Sequence, residues 1–180
     1  PSPDGRPRLR LRAWRAGTLR VSGGIRASGA SRSASVRGQQ HGRAVGQRGV
    51  DVWDGEPEGV YAPSSAKVRL VCVSDTAEVF VAGARFDGVL QPFAVRADDI
   101  DNVQYGSDET KTHRKIKHIL GTKYKDRVGR LLVSELFTVG AGGWSGFPSH
   151  KHDTTRLPLE TRHDEVYNFR FNPPHGGGLQ

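Results

Sequence analysis

The sequence predicts an all-β fold, a sandwich or barrel of short strands. Two observations carry that expectation. Runs of apolar or alternating residues, each of strand length, recur at regular spacing between turn residues. The clearest of them, residues 130–139, sorts into two faces. Leu132, Ser134, Leu136 and Thr138 share one; Leu131, Val133, Glu135, Phe137 and Val139 share the other.

Taken in order, the first 48 residues stand apart. They are rich in Arg, Gly, Ser and Ala, with eleven arginines, no lysine and one acid, Asp4. Leu9, Leu11 and Ala13 alternate with Arg, and Trp14, Leu19, Val21 and Ile25 are the other bulky apolar residues, enough for one or two strands. From Gly23 to Gly49 there is almost nothing apolar to bury, which predicts disorder. The composition is also that of a GC-rich gene read out of frame. At Gly49 the texture changes. Residues 50–55 lead into the turn Glu56-Pro57-Glu58-Gly59, and 60–63 are short and extended. Strands follow at 67–73 and 78–82, with Ser74-Asp75 as the turn between them, and another at 90–96 after a turn at 86–88. Residues 97–101 read as an acidic turn or short helix, and 104–112 as a polar loop. The basic cluster 111–117 runs into His118-Ile119-Leu120, the edge of a strand, and 121–126 is a loop before the long strand.

Charge divides the chain in the same place. The net +8 and the pI near 10.1 point towards nucleic acid, but the first 48 residues carry +10 and the remainder −2. A basic arm binds phosphates by counterion release. This one lacks the interleaved aromatics that stack on bases, and the near-neutral remainder argues against a nucleic-acid partner. No run of 18 apolar residues suggests a membrane span, and the basic N-terminus lacks the apolar core of a signal peptide. Cys72 is the only cysteine, which excludes an internal disulfide and fits a reducing cytoplasm. It lies in the apolar run 68–73 and reads as a small buried side chain. The sequence contains no Met, and so reads as a fragment.

The chemistry is concentrated in residues 142–174. His150 and His152 are two apart, so a regular strand points both imidazoles to one face. Glu165, from the next strand, supplies a carboxylate. Two imidazoles and one carboxylate suit Zn, Mn or Fe and leave coordination positions open, as a catalytic rather than a structural site requires. The same set is the facial triad of iron-dependent dioxygenases, a second enzyme reading. Lys151 would project from the opposite strand face, and Asp153, Glu160 and Asp164 are bases or partners that orient the histidines. Glu160 and Lys151 are the candidates for catalytic proton transfer. His41, His163 and His175 read as loop residues, and His113 and His118 as members of a solvated or anion-facing basic cluster. There is no P-loop, dinucleotide fingerprint or nucleophile elbow.

These motifs resemble a known family. Gly143-Trp144-Ser145-Gly146-Phe147-Pro148-Ser149-His150-Lys151-His152-Asp153 is similar to the G-N-W-S-S-Y-P-P-H-K-H-D pattern of the 5-deoxy-glucuronate isomerases of inositol catabolism. Glu165-Val166-Tyr167-Asn168-Phe169-Arg170-Phe171-Asn172-Pro173-Pro174 resembles their E-I-Y-Y-x-R-F-x-P-P segment, and Gly176, Gly178, Leu179 and Gln180 fit the glycine-rich piece after it. Val52-Trp53-Asp54-Gly55, Tyr61 with Pro63, and Arg114, Ile116, Ile119 and Leu120 extend the likeness upstream to residue 49. Asn168 and the Lys117-His118 pair depart from the family pattern. The resemblance implies a bicupin, two antiparallel β-barrels in one chain, with 49–103 in the first and 110–180 in the second. It implies a divalent metal on His150, His152, Glu165 and one further His on a later strand. The activity implied is the aldose–ketose isomerisation of 5-deoxy-glucuronate to 5-dehydro-2-deoxy-gluconate, by a cytoplasmic enzyme with a small sugar-acid substrate, compatible with a homo-oligomer. A relative of that kind continues beyond Gln180, so the chain is expected to be a truncated, poorly stable and inactive fragment, its second barrel open at an edge.

Overall fold

The computed structural model describes residues 17–22, 34–37, 45–46, 48–49, 51–64, 66, 69–72, 76–140, 142–145 and 149–178. Its regular structure is nine strands and two single 3-10 turns: β1 (Gly17–Ser22), β2 (Ala34–Arg37), β3 (Gly59–Tyr61), β4 (Arg69–Cys72), β5 (Thr76–Val81), β6 (Phe93–Val95), a turn at Ala97–Asp99, β7 (Asp101–Tyr105), β8 (Arg114–Leu120), a turn at Thr122–Tyr124, and β9 (Val133–Thr138). The all-β expectation therefore holds. Every ladder is antiparallel: β1 with β5, β2 with β4, β3 with β6, and the three-stranded sheet β7-β8-β9.

Two strands lie within the Arg-rich first 48 residues. β1 falls on the alternating Leu19 and Val21. β2 falls inside the stretch whose composition predicted disorder; its backbone hydrogen bonds go to β4, so pairing, not apolar content, sets it there. The Ser74-Asp75 turn and the side chain of Cys72 lie outside the described residues.

Downstream, the sequence expectations need two changes. Residues 101–105, partly assigned to a polar loop, form β7, an edge strand whose exposed polar side chains are compatible with strand pairing to β8 on one side only. The basic cluster 114–117 is not a solvated surface but the first half of β8, the central strand. Its geometry explains the pattern. A bulge between His118 and Leu120 shifts the register against β9, so that Ile119 and Leu120 both reach the core. On β9 the inner residues are Val133, Glu135 and Phe137, and the outer ones Ser134, Leu136 and Thr138, as the two-face reading has it. Gly106 takes φ +86°, and a Cβ there would lie 2.1 Å from the carbonyl oxygen of Thr112, so the loop from β7 to β8 requires glycine.

The core is small and lies where the β3–β6 ladder meets the end of β8. Tyr61, Val95, Leu120, Tyr124 and Val128 are buried together, with Leu90, Phe93, Ile100, Ile119, Leu131 and Val133 packed around them. It draws on residues from both sides of the expected 103–110 boundary. Phe93 is its hub, stacked between Tyr61 at 5.3 Å and Tyr124 at 5.1 Å between centroids, with the Arg127 guanidinium 3.9 Å above its ring. Beside it sits a polar junction. The Lys117 ammonium, on a buried side chain, donates to the Gly55 carbonyl at 2.7 Å, lies 3.3 Å from Glu56, and stands over the Phe137 ring. Arg48 makes a two-pronged pair with Glu135, 2.7 Å on each prong, and also donates to the Gly55 carbonyl. The turn after residue 51 is thus fastened to β8 and β9 by charge.

Replacing Phe93 by Ala removes both stacking contacts and the platform under Arg127. It is expected to destabilise the protein by about 3 kcal/mol, read as a fall in the denaturant midpoint with the slope unchanged. A midpoint matching the parent's would show that the core lies elsewhere.

Candidate metal centre

The site is built on a tight turn. The backbone of Arg156 donates to the Glu160 carbonyl at 2.9 Å, and Leu159 and Glu160 donate back to the Arg156 carbonyl. The two side chains close the same turn, Arg156 donating to Glu160 Oε2 from Nε at 3.0 Å and Nη2 at 2.6 Å. The chain then runs antiparallel to itself. Arg162 donates its backbone N–H to Thr155 Oγ1, and His163 its own to the His152 carbonyl at 3.1 Å. These bonds set His163 beside His152, and the two rings stack with centroids 4.3 Å apart.

From His163 onward the chain is extended, and period-two geometry puts every second side chain on one face. His163 Nε2 is 3.4 Å from Glu165 Oε1. The Tyr167 hydroxyl donates to Glu165 Oε2 at 3.3 Å. Tyr167, Phe169 and Phe171 then stack in a row, 5.8 and 6.1 Å between successive centroids. On the opposite face Arg170 pairs with Asp51 at 3.3 Å and with Glu78 of β5, which holds the segment down.

Three ligand atoms therefore converge. Those of His152, His163 and Glu165 all lie within 4.8 Å of one another. Two neutral imidazoles and a carboxylate suit a first-row divalent ion, and the exposed position leaves room for solvent or substrate. The donors are also oriented as ligands usually are. His163 Nδ1 lies 3.0 Å from the Thr161 carbonyl, and Glu165 is held by Tyr167. Burial, and then the charge and hydrogen bond of Glu165, push the Tyr167 phenol above the ordinary tyrosine range, so it stays a donor at neutral pH.

Of the residues singled out from sequence, His152 and Glu165 come together. His150 lies next to them, its ring edge-on to His152 at 5.1 Å, but not within that trio. Neither limb is a ladder strand among the described residues; the chain is extended without a paired neighbour sheet, so the expected regular strand is absent while the i, i+2 placement persists. His163, read as a loop residue, is the residue that sequence reasoning missed. The turn at Arg156–Glu160 gives only the antiparallel return; its register alone sets 163 opposite 153, and the bond from the His163 N–H to the His152 carbonyl moves the pairing by one residue. Lys151 pairs with Asp153, which raises the Lys151 pKa, and Glu160 is held by Arg156. His113 meets Asp108 at 3.2 Å and His118 meets the Ser134 hydroxyl at 2.8 Å, so each has a partner inside the fold. His175 is exposed, and His41 lies outside the described residues, as do Gly146, Phe147 and Pro148 of the motif before His150.

Comparison with known proteins gives a consistent picture. Residues 20–180 match the model of the KduI/IolB family, a match that begins within the Arg-rich segment, upstream of the motif likeness at residue 49. A 5-deoxy-glucuronate isomerase of Geobacillus thermodenitrificans (strain NG80-2) is 33% identical over 125 residues, covering 69% of this chain and 43% of the relative. Another, of Shouchella clausii (strain KSM-K16), is 37% identical over 82 residues, covering 46% of this chain and 29% of the relative. The chain spans less than half the length of these curated relatives. The crystal structure of an IolB-like protein from Salmonella typhimurium LT2 superposes with a TM-score of 0.59 at 25% identity, covering 84% of this chain and 56% of that one.

The contact between Tyr167 and Glu165 is open to direct measurement. In a tyrosinate difference titration against Tyr167→Phe, the missing step should lie above the ordinary tyrosine range. Glu165→Gln should move that step down without bringing it to the ordinary value, because burial contributes first. A step unmoved by Glu165→Gln would mean that the two side chains are apart in solution.

Proposed function

The chain belongs to the KduI/IolB family, and from that premise we propose that it carries the metal-binding part of an aldose–ketose isomerase that converts 5-deoxy-glucuronate to 5-dehydro-2-deoxy-gluconate. The observation that carries the reading is the convergence of imidazole and carboxylate ligand atoms in the segment most like the isomerases. The named relatives point to the same substrate. The two-barrel organisation, 49–103 and 110–180, belongs to the same proposal, as does the ligand set His150, His152 and Glu165. A divalent ion bound there supplies Lewis-acid polarisation of a sugar carbonyl.

The chain's own residues then divide the remaining work. Tyr167 fixes the Glu165 carboxylate and, as a neutral phenol, adds a hydrogen-bond donor at the site. Lys151 lies between the two histidines in sequence. Its pairing with Asp153 raises its pKa, and the charged form suits attraction of a sugar-acid carboxylate. Glu160 closes the turn through Arg156, a duty that sets the position of His163. Proton transfer by Glu160 or Lys151 belongs to the same proposal, each starting from an ion pair, Glu160 with Arg156 and Lys151 with Asp153.

The two-His-one-carboxylate composition of the trio also favours a second reading, an iron-dependent oxygenase. No helix among the described residues is long and apolar enough to cross a membrane.

A version of the chain extended to the length of its relatives and loaded with metal should convert 5-deoxy-glucuronate to the ketose, followed by NMR, and should lose that activity on chelation, whereas the 180-residue chain alone is expected to bind the metal without turnover. His152→Ala and Glu165→Gln should each lower turnover by at least about 100-fold. Oxygen consumption with ferrous iron, without ketose formation, would instead establish the oxygenase. Turnover unaffected by chelation would sink both readings.

A further inference from the structure

We propose that the outer face of the β7-β8-β9 sheet is a self-association surface, and that its occupant is a second copy of this chain. This surface owes nothing to the metal-site reading above.

The sheet has one packed face and one open face. On the inner face, Lys117, Glu135 and Phe137 are engaged with Arg48 and the 51–56 turn. The register fixes what the other face shows, because residues opposite one another on antiparallel strands share a face. Three rows cross it. Val103, Ile116 and Leu136 form the middle row. Asp101, His118 and Ser134 lie on one side of it, and Tyr105, Arg114 and Thr138 on the other. Two contacts follow these rows: His118 Nδ1 is 2.8 Å from Ser134 Oγ, and the Arg114 guanidinium stands over the Tyr105 ring at 5.8 Å. Leu136 and Tyr105 are exposed, and Val103 and Ile116 are only half-buried. An apolar row between two polar ones, on an open sheet face, has the anatomy of an interface.

Charge selects the occupant. The nine positions carry one acid, Asp101, and one guanidinium, Arg114, at opposite ends of the face, and neither has a salt-bridge partner among the described residues. Lys123, whose charge acts on Asp101, is itself held by Asp99 at 3.1 Å. Two copies stack these faces symmetrically in two ways. A two-fold axis along the strands sets the central strands parallel and puts Arg114 on Arg114, which repel. An axis along the middle row sets them antiparallel. It keeps Val103, Ile116 and Leu136 on their own images and brings the Arg114 end over the Asp101 end. Tyr105 then faces the second copy's Asp101. Arg114 is displaced from that carboxylate by one strand spacing, about 4.8 Å, across sheets about 10 Å apart, which its long side chain spans. Symmetry makes the contact twice. A face with acid and base at opposite ends of an apolar row is complementary to its own reversed image. With nine side chains from each copy the interface is small, so the dimer is weak and concentration-dependent.

The test is sedimentation of the 180-residue chain over a range of concentrations. The parent should dimerise reversibly. Asp101→Arg and Arg114→Glu each leave the face with charge of one sign, and each should weaken dimerisation at least about tenfold. Mixed one to one, the two variants should associate with each other, because each supplies the charge the other lacks. Damage to the fold of either variant would not be repaired by mixing. Leu136→Glu, in the middle row, should abolish the dimer, and Val89→Glu, exposed but off the sheet, should leave it unchanged. A parent that stays monomeric at about 1 mM overturns the proposal. So does a dimer that survives Leu136→Glu or both charge variants, and so does a mixture that associates no better than its components. Should Arg114→Glu fail to fold, Asp101→Arg and Leu136→Glu decide. None of these measurements reads metal binding or turnover, so failure here is distinct from failure of the metal-site reading.

Discussion

The buried ammonium of Lys117 fastens the turn at residues 51–56 to the three-stranded sheet. It projects from the central strand of the three-stranded sheet, yet its hydrogen bond goes to Gly55, more than sixty residues earlier in the chain. A buried lysine is tolerated only when its charge is met, and here Glu56, the Gly55 carbonyl and the face of Phe137 meet it together. Arg48 and Glu135 repeat the same bridge one strand over. With few fully buried apolar side chains among the described residues, the position of the 51–56 turn on the sheet is set as much by these ion pairs as by packing. That turn also carries Asp51, which anchors Arg170 and, through it, the segment bearing Glu165. The polar junction and the candidate metal centre are therefore linked by one chain of charged contacts.

At the centre itself, the economy of the design lies in one turn. His152 and Glu165 are too far apart in sequence to meet by local periodicity. A five-residue closure between Arg156 and Glu160 converts that separation into adjacency, and the extended geometry on either side does the rest. The chain needs no complete sheet to bring the donors together.

Much of this was legible in the sequence. The alternation of residues 130–139 gave both faces of β9 correctly, because one side of that strand is half-buried and the other exposed. The histidine pair and Glu165 stood out because their residue types are chemically specific. What stayed hidden was whatever depends on a partner. β7 looks like a loop because an edge strand needs few apolar residues, and of its five only Val103 is half-buried. The first half of β8 looks like surface because Lys117 is buried against Glu56, the Gly55 carbonyl and Phe137, a pairing no local pattern records. β2 has little apolar content of its own and is defined by β4. His163 was overlooked for a related reason: its role follows from antiparallel register across a turn, and a residue's own neighbours in sequence do not display it.

The segment after His163 carries two sets of side chains on a strict alternation. Odd positions hold the imidazole, the carboxylate and the aromatic row; even positions include the arginine that fastens the segment to Asp51 and Glu78. Such a ribbon has no tolerance for a change of parity. One residue inserted or deleted between the Arg156–Glu160 closure and Arg170 would exchange the two faces, turning carboxylate and aromatics towards the clamp and the guanidinium towards the metal. Length variation among relatives should accordingly fall inside the 157–159 tip, where it leaves parity intact, and be absent from the ribbon that follows.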